Sequence, residues 1–245
     1  MKNGLLNVAI CISGGGTTMR EIIIASKNGR LLHVNPALII SSREEAGGIK
    51  KAEQEGIAGR NIVVLSRKKF PESADFGEAI IQECRLRSVD LIAQCGFIPL
   101  MPSNVIEEYQ SMIFNQHPGP IDQARPGFGG KGMYGLRVHH AVLYFANRIG
   151  RPLRTEAIVH RVTNEIDGGA IIGIRPVEIM ETDDANALAT RVLPHEHSLV
   201  IETILKFSEF GGPQEIYRDH PLINENEINL LQKAKEEGIK AFPNG

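Results

Sequence analysis

Cysteine is scarce in this chain, and its placement excludes two classes of protein at once. Cys11, Cys84 and Cys95 form no close pair and no metal-type spacing, so neither a disulfide scaffold nor a zinc module fits. Cys11 and Cys95 fall inside apolar, strand-like runs and read as small core hydrophobes of a reducing compartment. An excess of one charge is missing too. Lys plus Arg number 27 against 29 Asp plus Glu, a formal net charge of −2, which leaves no electrostatic footprint for nucleic acid or an anionic membrane. The basic cluster Arg67, Lys68 and Lys69 is too short to change that and reads as a solvated loop. No apolar run approaches the roughly 20 residues of a membrane-spanning helix. The first apolar stretch is interrupted by Asn7 and runs straight into a glycine loop, which marks a first strand rather than a secretory signal. The expectation is a cytoplasmic protein that acts on small molecules, has no nucleic-acid or membrane partner, and is a monomer or homodimer.

What is present is an ordinary globular composition, 42% apolar and 23% charged over 245 residues, long enough to bury a proper core. Val8 to Ile12, Ala37 to Ile40, Ile62 to Leu65 and Leu91 to Ala93 are short runs rich in Val, Ile and Leu. Thr17 to Lys27, Glu44 to Glu55 and Phe76 to Arg87 lie between them with helical patterning. Strands alternating with helices of this length predict βαβ units, hence a mostly parallel sheet with helices on both faces. Near-continuous apolar strands fit a sheet buried on both sides. Met112 to Phe114 is a fifth run. Tyr134 to Asn147 reads as a helix, Glu156 to Val162 and Ala170 to Ile179 as strands, and Ala185 to Phe207 as a long helix. The fold class expected is therefore α/β, a Rossmann-like three-layer domain over residues 1–210. Residues 211–245 are expected to be a C-terminal extension carrying a polar helix near Glu225 to Glu237.

Four features carry possible chemistry. Ser13-Gly14-Gly15-Gly16-Thr17-Thr18 joins the first strand to the first helix. Backbone amides at a helix N-terminus with no Cβ in the way suit an anion. Thr17 or Thr18 would add a hydroxyl donor or cap the helix. The run lacks the lysine of a P-loop, and Met19 occupies the third glycine position of the dinucleotide fingerprint. A bare structural turn explains the glycines equally well. Asn115-x-His117-Pro118 ends a strand, where the groups of open α/β sheets gather. Two residues apart on an extended segment, the amide and imidazole share a side; one suits a carbonyl oxygen and the other a proton. The bland alternative is a histidine satisfied in a turn. Asp167-Gly168-Gly169 reads as a turn, but an acid there would also orient His117 and raise its pKa. The eight histidines, including the His195-Glu196-His197 run, lack a partner at ligand spacing, and His195 and His197 leave the helix on different faces. No metal is expected.

Taken in this order, the motifs resemble those of the folate-dependent formyltransferase family, and within it most nearly the branch that formylates glycinamide ribonucleotide. The resemblance runs from about Val8 to about Leu205. It is carried by the SGGGTT loop, GFIPLMP from Gly96, NQHP from Asn115, VHRVTNEIDGGAII from Val159 and the pair Glu196-His197. It implies a formyltransferase fold, with 10-formyltetrahydrofolate as the formyl donor co-substrate and glycinamide ribonucleotide or a similar phosphorylated amine as acceptor. Carried over, Asn115 would bond the formyl oxygen, a protonated His117 would stabilise the tetrahedral intermediate, and Asp167 would hold the imidazole or an ordered water. Ile98, Leu100, Met101, Thr163, Asn164 and Glu165 would line the folate site. Gly14, Gly15, Gly16, Thr17, Thr18 and Glu196 would meet the acceptor's phosphate and amine end. Pro99 stands where an arginine is common, and the family's glycine loop usually carries Asn and Ser where this chain has Gly15 and Thr17. Other readings are a formyltransferase for a sugar-nucleotide amine, a 10-formyltetrahydrofolate hydrolase, a non-catalytic folate or phosphate binder, and an enzyme of ATP or NAD.

Overall fold

The structure, a computed structural model, describes residues 4–123 and 125–244. In chain order the elements are β1 (Leu6–Ile12), α1 (Thr17–Lys27), β2 (Val34–Ser41), α2 (Gly47–Gln54), β3 (Ile62–Val64), α3 (Ser73–Leu86), β4 (Leu91–Gln94), α4 (Ser103–Tyr109), β5 (Ile113–His117), α5 (Leu136–Ala146), β6 (Thr155–Arg161), β7 (Ile171–Val177), α6 (Ala185–Phe210) and α7 (Ile228–Ala241). Two compact units divide the chain: Met1–Asn115 with Arg161–Asn164 and Val200–Pro213, and Gln116–His160 with Glu165–Leu199 and Gln214–Gly245.

The first unit is built on parallel strands in the order β3-β2-β1-β4-β5. Its β1 is buried at every position except Asn7, because helices cover both faces of such a sheet. Asn7 lies at the strand's entry, where its backbone N–H donates to Asp90 Oδ2 at 2.9 Å and its side-chain amide donates to the Ser88 carbonyl at 3.0 Å. Register slips by one residue between Val8 and Ala9, opposite Pro36. A proline cannot donate to the ladder, so a bulge there avoids a lost hydrogen bond. Ala9, Cys11, Leu38, Ile40, Ile92 and Ile113 pack on one side against Phe76, Ile80 and Cys84 of α3 and Val105 of α4. Strand alternation supplies the first set and helical spacing the second. All three cysteines are buried. Burial pushes the Cys11 thiol well above its ordinary range and the Cys84 thiol up to about 12.

The second unit holds the antiparallel pair β6 and β7, a small cluster of Ile121, Ile158 and Ile171, and the helices α5 and α7. The C-terminal residues are tied in by ion pairs and backbone bonds. Arg151 pairs with Glu227 at 2.7 Å, Arg218 pairs with Glu156 and donates to the Ile121 carbonyl at 3.0 Å, and Leu222 N–H donates to Asp122 Oδ2 at 3.0 Å. Helix α7 approaches α5 closely at Gly238, where a Cβ would lie 2.5 Å from the Arg137 carbonyl oxygen. Among the described residues, no helix is long and apolar enough to cross a membrane.

Candidate active site

Each glycine-rich loop owes its position to contacts that need small residues. In the first unit Gly16, at φ 61°, is the N-cap of α1, and no side chain caps that helix. Neither threonine therefore does the capping that the sequence suggested: Thr17 is exposed and Thr18 is buried. A Cβ on Gly16 would meet the Gly48 Cα at 2.7 Å, and one on Gly48 would meet Ile12 Cδ1 at 2.4 Å. The Gly47-Gly48 start of α2 is thus a structural partner of the loop that motif reading passed over. Gly14 accepts from the Gly48 N–H at 3.0 Å, and Lys51 donates to the Gly15 carbonyl at 2.7 Å. Gly14 and Gly15 are exposed. The open helix N-terminus with a lysine alongside favours an anion.

Ser13 links this loop to the next strand end. Its hydroxyl lies 2.6 Å from the Ser42 hydroxyl and accepts from the Ile98 N–H at 2.8 Å. Ile98 and Leu100 then point apolar surface outward, 39% and 65% exposed, while Met101 is buried in the core. Asn164 Oδ1 lies 2.9 Å from the Ser103 hydroxyl, and Thr163 is exposed beside it in sequence. Five of the six expected folate-site residues therefore belong to the first unit, and Glu165 to the second.

Strand β5 carries Asn115 and His117 two positions apart, hence on one side of an extended chain. Asn115 pairs in register with Gln94 of β4. His117 is buried with its ring between two groups. Its Nε2 lies 3.3 Å from the Phe128 carbonyl, and its Nδ1 lies 3.8 Å from Asp167 Oδ2. A carbonyl oxygen only accepts, so Nε2 carries the hydrogen. Nδ1 is then the atom that gains or loses a proton, and it faces the carboxylate. At 3.8 Å that pair is too far apart for a direct hydrogen bond.

Asp167 sits at φ 55°, a left-handed conformation that Asp tolerates better than most residues and that gathers at functional sites. Gly130 N–H donates to its Oδ2 at 2.8 Å, and His160 Nε2 lies 3.4 Å from its Oδ1. The approach of Gly129 is tight: a Cβ there would lie 2.7 Å from the Asp167 Cβ. His160 lies inside the motif that begins at Val159 but was given no role in the site. Its signal was available as one histidine in the apolar run Ala157-Ile158-Val159, and the β6 register shifts between Val159 and His160, which re-aims a side chain.

The electrostatics correct one expectation. Burial lowers the His117 pKa, and the attraction of Asp167 does not restore it; neighbouring His160 and Lys235 push the same way as burial. The imidazole is therefore biased toward neutrality rather than held charged. Burial alone would raise Asp167, but His117, His160 and the Gly130 amide together hold its carboxyl far below the usual carboxylate range. His139, on α5, is pushed down to about 4 chiefly by burial and is neutral at physiological pH. Glu196, inside α6, accepts from the Gln116 amide at 3.1 Å, and burial raises its carboxyl to about 7. A cavity of about 270 Å³ opens beside Asp167, lined by Ile121, Asp122, Arg125, Gly129 and Glu165 among others. Among the described residues no group of three His, Cys, Asp or Glu is placed to hold a metal ion.

Residues 6–204 match the formyl transferase family. The chloroplastic phosphoribosylglycinamide formyltransferase of Vigna unguiculata is 34% identical over 202 residues, which is 80% of this chain and 59% of that protein. The Arabidopsis thaliana protein of the same description is 30% identical over 213 residues, covering 84% of this chain and 69% of its own length. The chain thus spans about three fifths of the length of the first of these relatives and just over two thirds of the second. The crystal structure of glycinamide ribonucleotide transformylase 1 from Symbiobacterium toebii superposes with a TM-score of 0.73 at 26% identity, covering 84% of this chain and 89% of that one.

Proposed function

The chain belongs to the formyl transferase family, and from that premise we propose that it passes the formyl group of 10-formyltetrahydrofolate to the amine of glycinamide ribonucleotide or a similar phosphorylated amine. The observation that carries the reading is the buried cluster at the end of β5, where the titrating Nδ1 of His117 faces an ionised Asp167 two residues beyond Asn115.

The reaction asks for two services. As the amine nitrogen attacks the formyl carbon, a new C–N bond forms and the formyl oxygen takes negative charge. The bond from carbon to folate N10 then breaks, one proton having left the amine and one having reached N10. Asn115 serves the oxygen: an amide N–H beside a developing oxyanion is worth about 3–4 kcal/mol. His117 serves the proton. A neutral imidazole with its hydrogen on Nε2 leaves Nδ1 to accept, and the Asp167 carboxylate stabilises the imidazolium once it exists. The charge on His117 is thus a feature of turnover rather than of the resting site. The exposed apolar faces of Ile98 and Leu100, with Met101, Thr163, Asn164 and Glu165, serve the folate. Gly14 to Thr18 serve the acceptor's phosphate, with Glu196 at its amine end.

In this reading the enzyme is cytoplasmic and works on small molecules, as a monomer or homodimer. Residues 1–210 carry the reaction and 211–245 extend it. The test is formyl transfer followed with and without glycinamide ribonucleotide. Consumption of 10-formyltetrahydrofolate only with the acceptor supports the proposal. Formate release without acceptor would mean hydrolysis, and folate binding with no transfer would redirect the search to sugar-nucleotide amines.

A further inference from the structure

Helix α7 lies beyond the residues that match the family, yet it reaches the His117–Asp167 cluster. Lys235, half-buried on that helix, donates from Nζ to the Gly129 carbonyl at 2.8 Å. Three consecutive residues thus each commit a backbone group to the site. The Phe128 carbonyl takes His117 Nε2, the Gly129 carbonyl takes Lys235, and the Gly130 N–H goes to Asp167. The segment has no slack, since Gly129 is hemmed in by Asp167 and by Ile121 Cγ2 at 3.0 Å from its notional Cβ. The helix has little freedom either. Arg137 donates to the Phe242 carbonyl at 2.7 Å and to the Gly132 carbonyl at 3.0 Å, and Arg151 holds Glu227 at its start.

We propose that Lys235 is a positioning residue of the active site, clamping the Gly129 carbonyl so that Phe128 and Gly130 hold His117 and Asp167, and setting a cation close to both. Four groups surround His117 electrically: Asp167 from the 165–168 loop, His160 from β6, His139 from α5 and Lys235 from α7. Asp167 draws a proton onto the imidazole, whereas Lys235 repels one. Burial lowers the pKa of Lys235, and Asp167 opposes that shift. The lysine therefore adds to the burial that biases His117 toward neutrality, and its effect on turnover rests on the transfer reading above. Its effect on the His117 ring does not.

The test uses the full chain with Lys235→Met and Lys235→Gln, thermal unfolding serving as the check on folding. Two quantities are read: the titration of the His117 ring by NMR, and kcat separately from KM. Removing the cation raises the His117 titration midpoint by several tenths of a unit in both variants. With methionine the loosened segment lowers kcat about tenfold, leaving KM for both substrates within about twofold. Glutamine keeps a donor for Gly129 and recovers part of kcat while showing the same shift of the ring. An unchanged His117 midpoint in the variants that fold overturns the proposal, as does a loss confined to KM. If the wild-type enzyme transfers no formyl group, the functional reading fails and the NMR titration still decides the placement of Lys235.

Discussion

Glu196 gives a measurement whose size follows from the structure. It is 6% exposed inside α6, accepts from Gln116, and burial raises its carboxyl from the ordinary 4.5 to about 7. A carboxyl whose pKa is raised by folding favours the folded state while protonated. That contribution is complete below the unfolded value and is lost as pH climbs through the folded one, because the unfolded chain ionises first. Between about pH 5.5 and about pH 8 the difference amounts to roughly 2 kcal/mol of lost stability at about 1.4 kcal/mol per unit. Glu196→Gln keeps the shape and cannot ionise. Urea unfolding of both proteins at the two pH values should show the variant gaining on the wild type by about that amount as pH rises. The same substitution should raise KM for the amine substrate, for which the carboxylate is the proposed partner. A stability difference that does not move with pH would refute the buried, late-ionising Glu196.

Other consequences are as direct. His117→Ala should lower kcat by about 10²-fold or more at neutral pH, steady-state transfer being the assay; near-normal turnover would remove His117 from the reaction. Gly129→Ala places a methyl 2.7 Å from the Asp167 Cβ, so either the 128–130 segment or Asp167 must move; the expected cost is about 1–3 kcal/mol in denaturant unfolding together with lost activity. An active, equally stable variant would show that the approach is not tight. Buried thiols with raised pKa, Cys11 and Cys84, should resist a thiol reagent in the native protein and react only on unfolding; rapid native labelling would contradict the packing.

Much of the fold was legible because the strands announce themselves. Leu6–Ile12 and Leu91–Gln94 are near-continuous apolar runs, and Thr17–Lys27 carries helical periodicity from its first residue to its last. Helix α4 escaped notice because Ser103–Tyr109 is seven residues long, too short for periodicity to speak. Asn115, His117 and Asp167 stood out by residue type at a strand end and in a glycine turn. What no local pattern shows is the partnership at a distance. From its loop, Asp167 turns back to meet His160 on β6, and Lys235 reaches Gly129 from 106 residues away. Asp167 does push the His117 pKa upward as the motif suggests, but the net direction was not legible for the same reason. Pairing with a carboxylate is visible in a motif, whereas the burial that outweighs it is a property of the folded core.

The measurement closest to the central claim is single-turnover transfer of a labelled formyl group from 10-formyltetrahydrofolate to glycinamide ribonucleotide, comparing the wild type with Asp167→Asn. Asparagine keeps the size of the side chain and removes the charge that stabilises an imidazolium on His117. The account predicts transfer that needs the acceptor and slows by about 10²-fold or more in the variant. Equal rates for the two proteins, or label released as formate whether or not the acceptor is present, would contradict it.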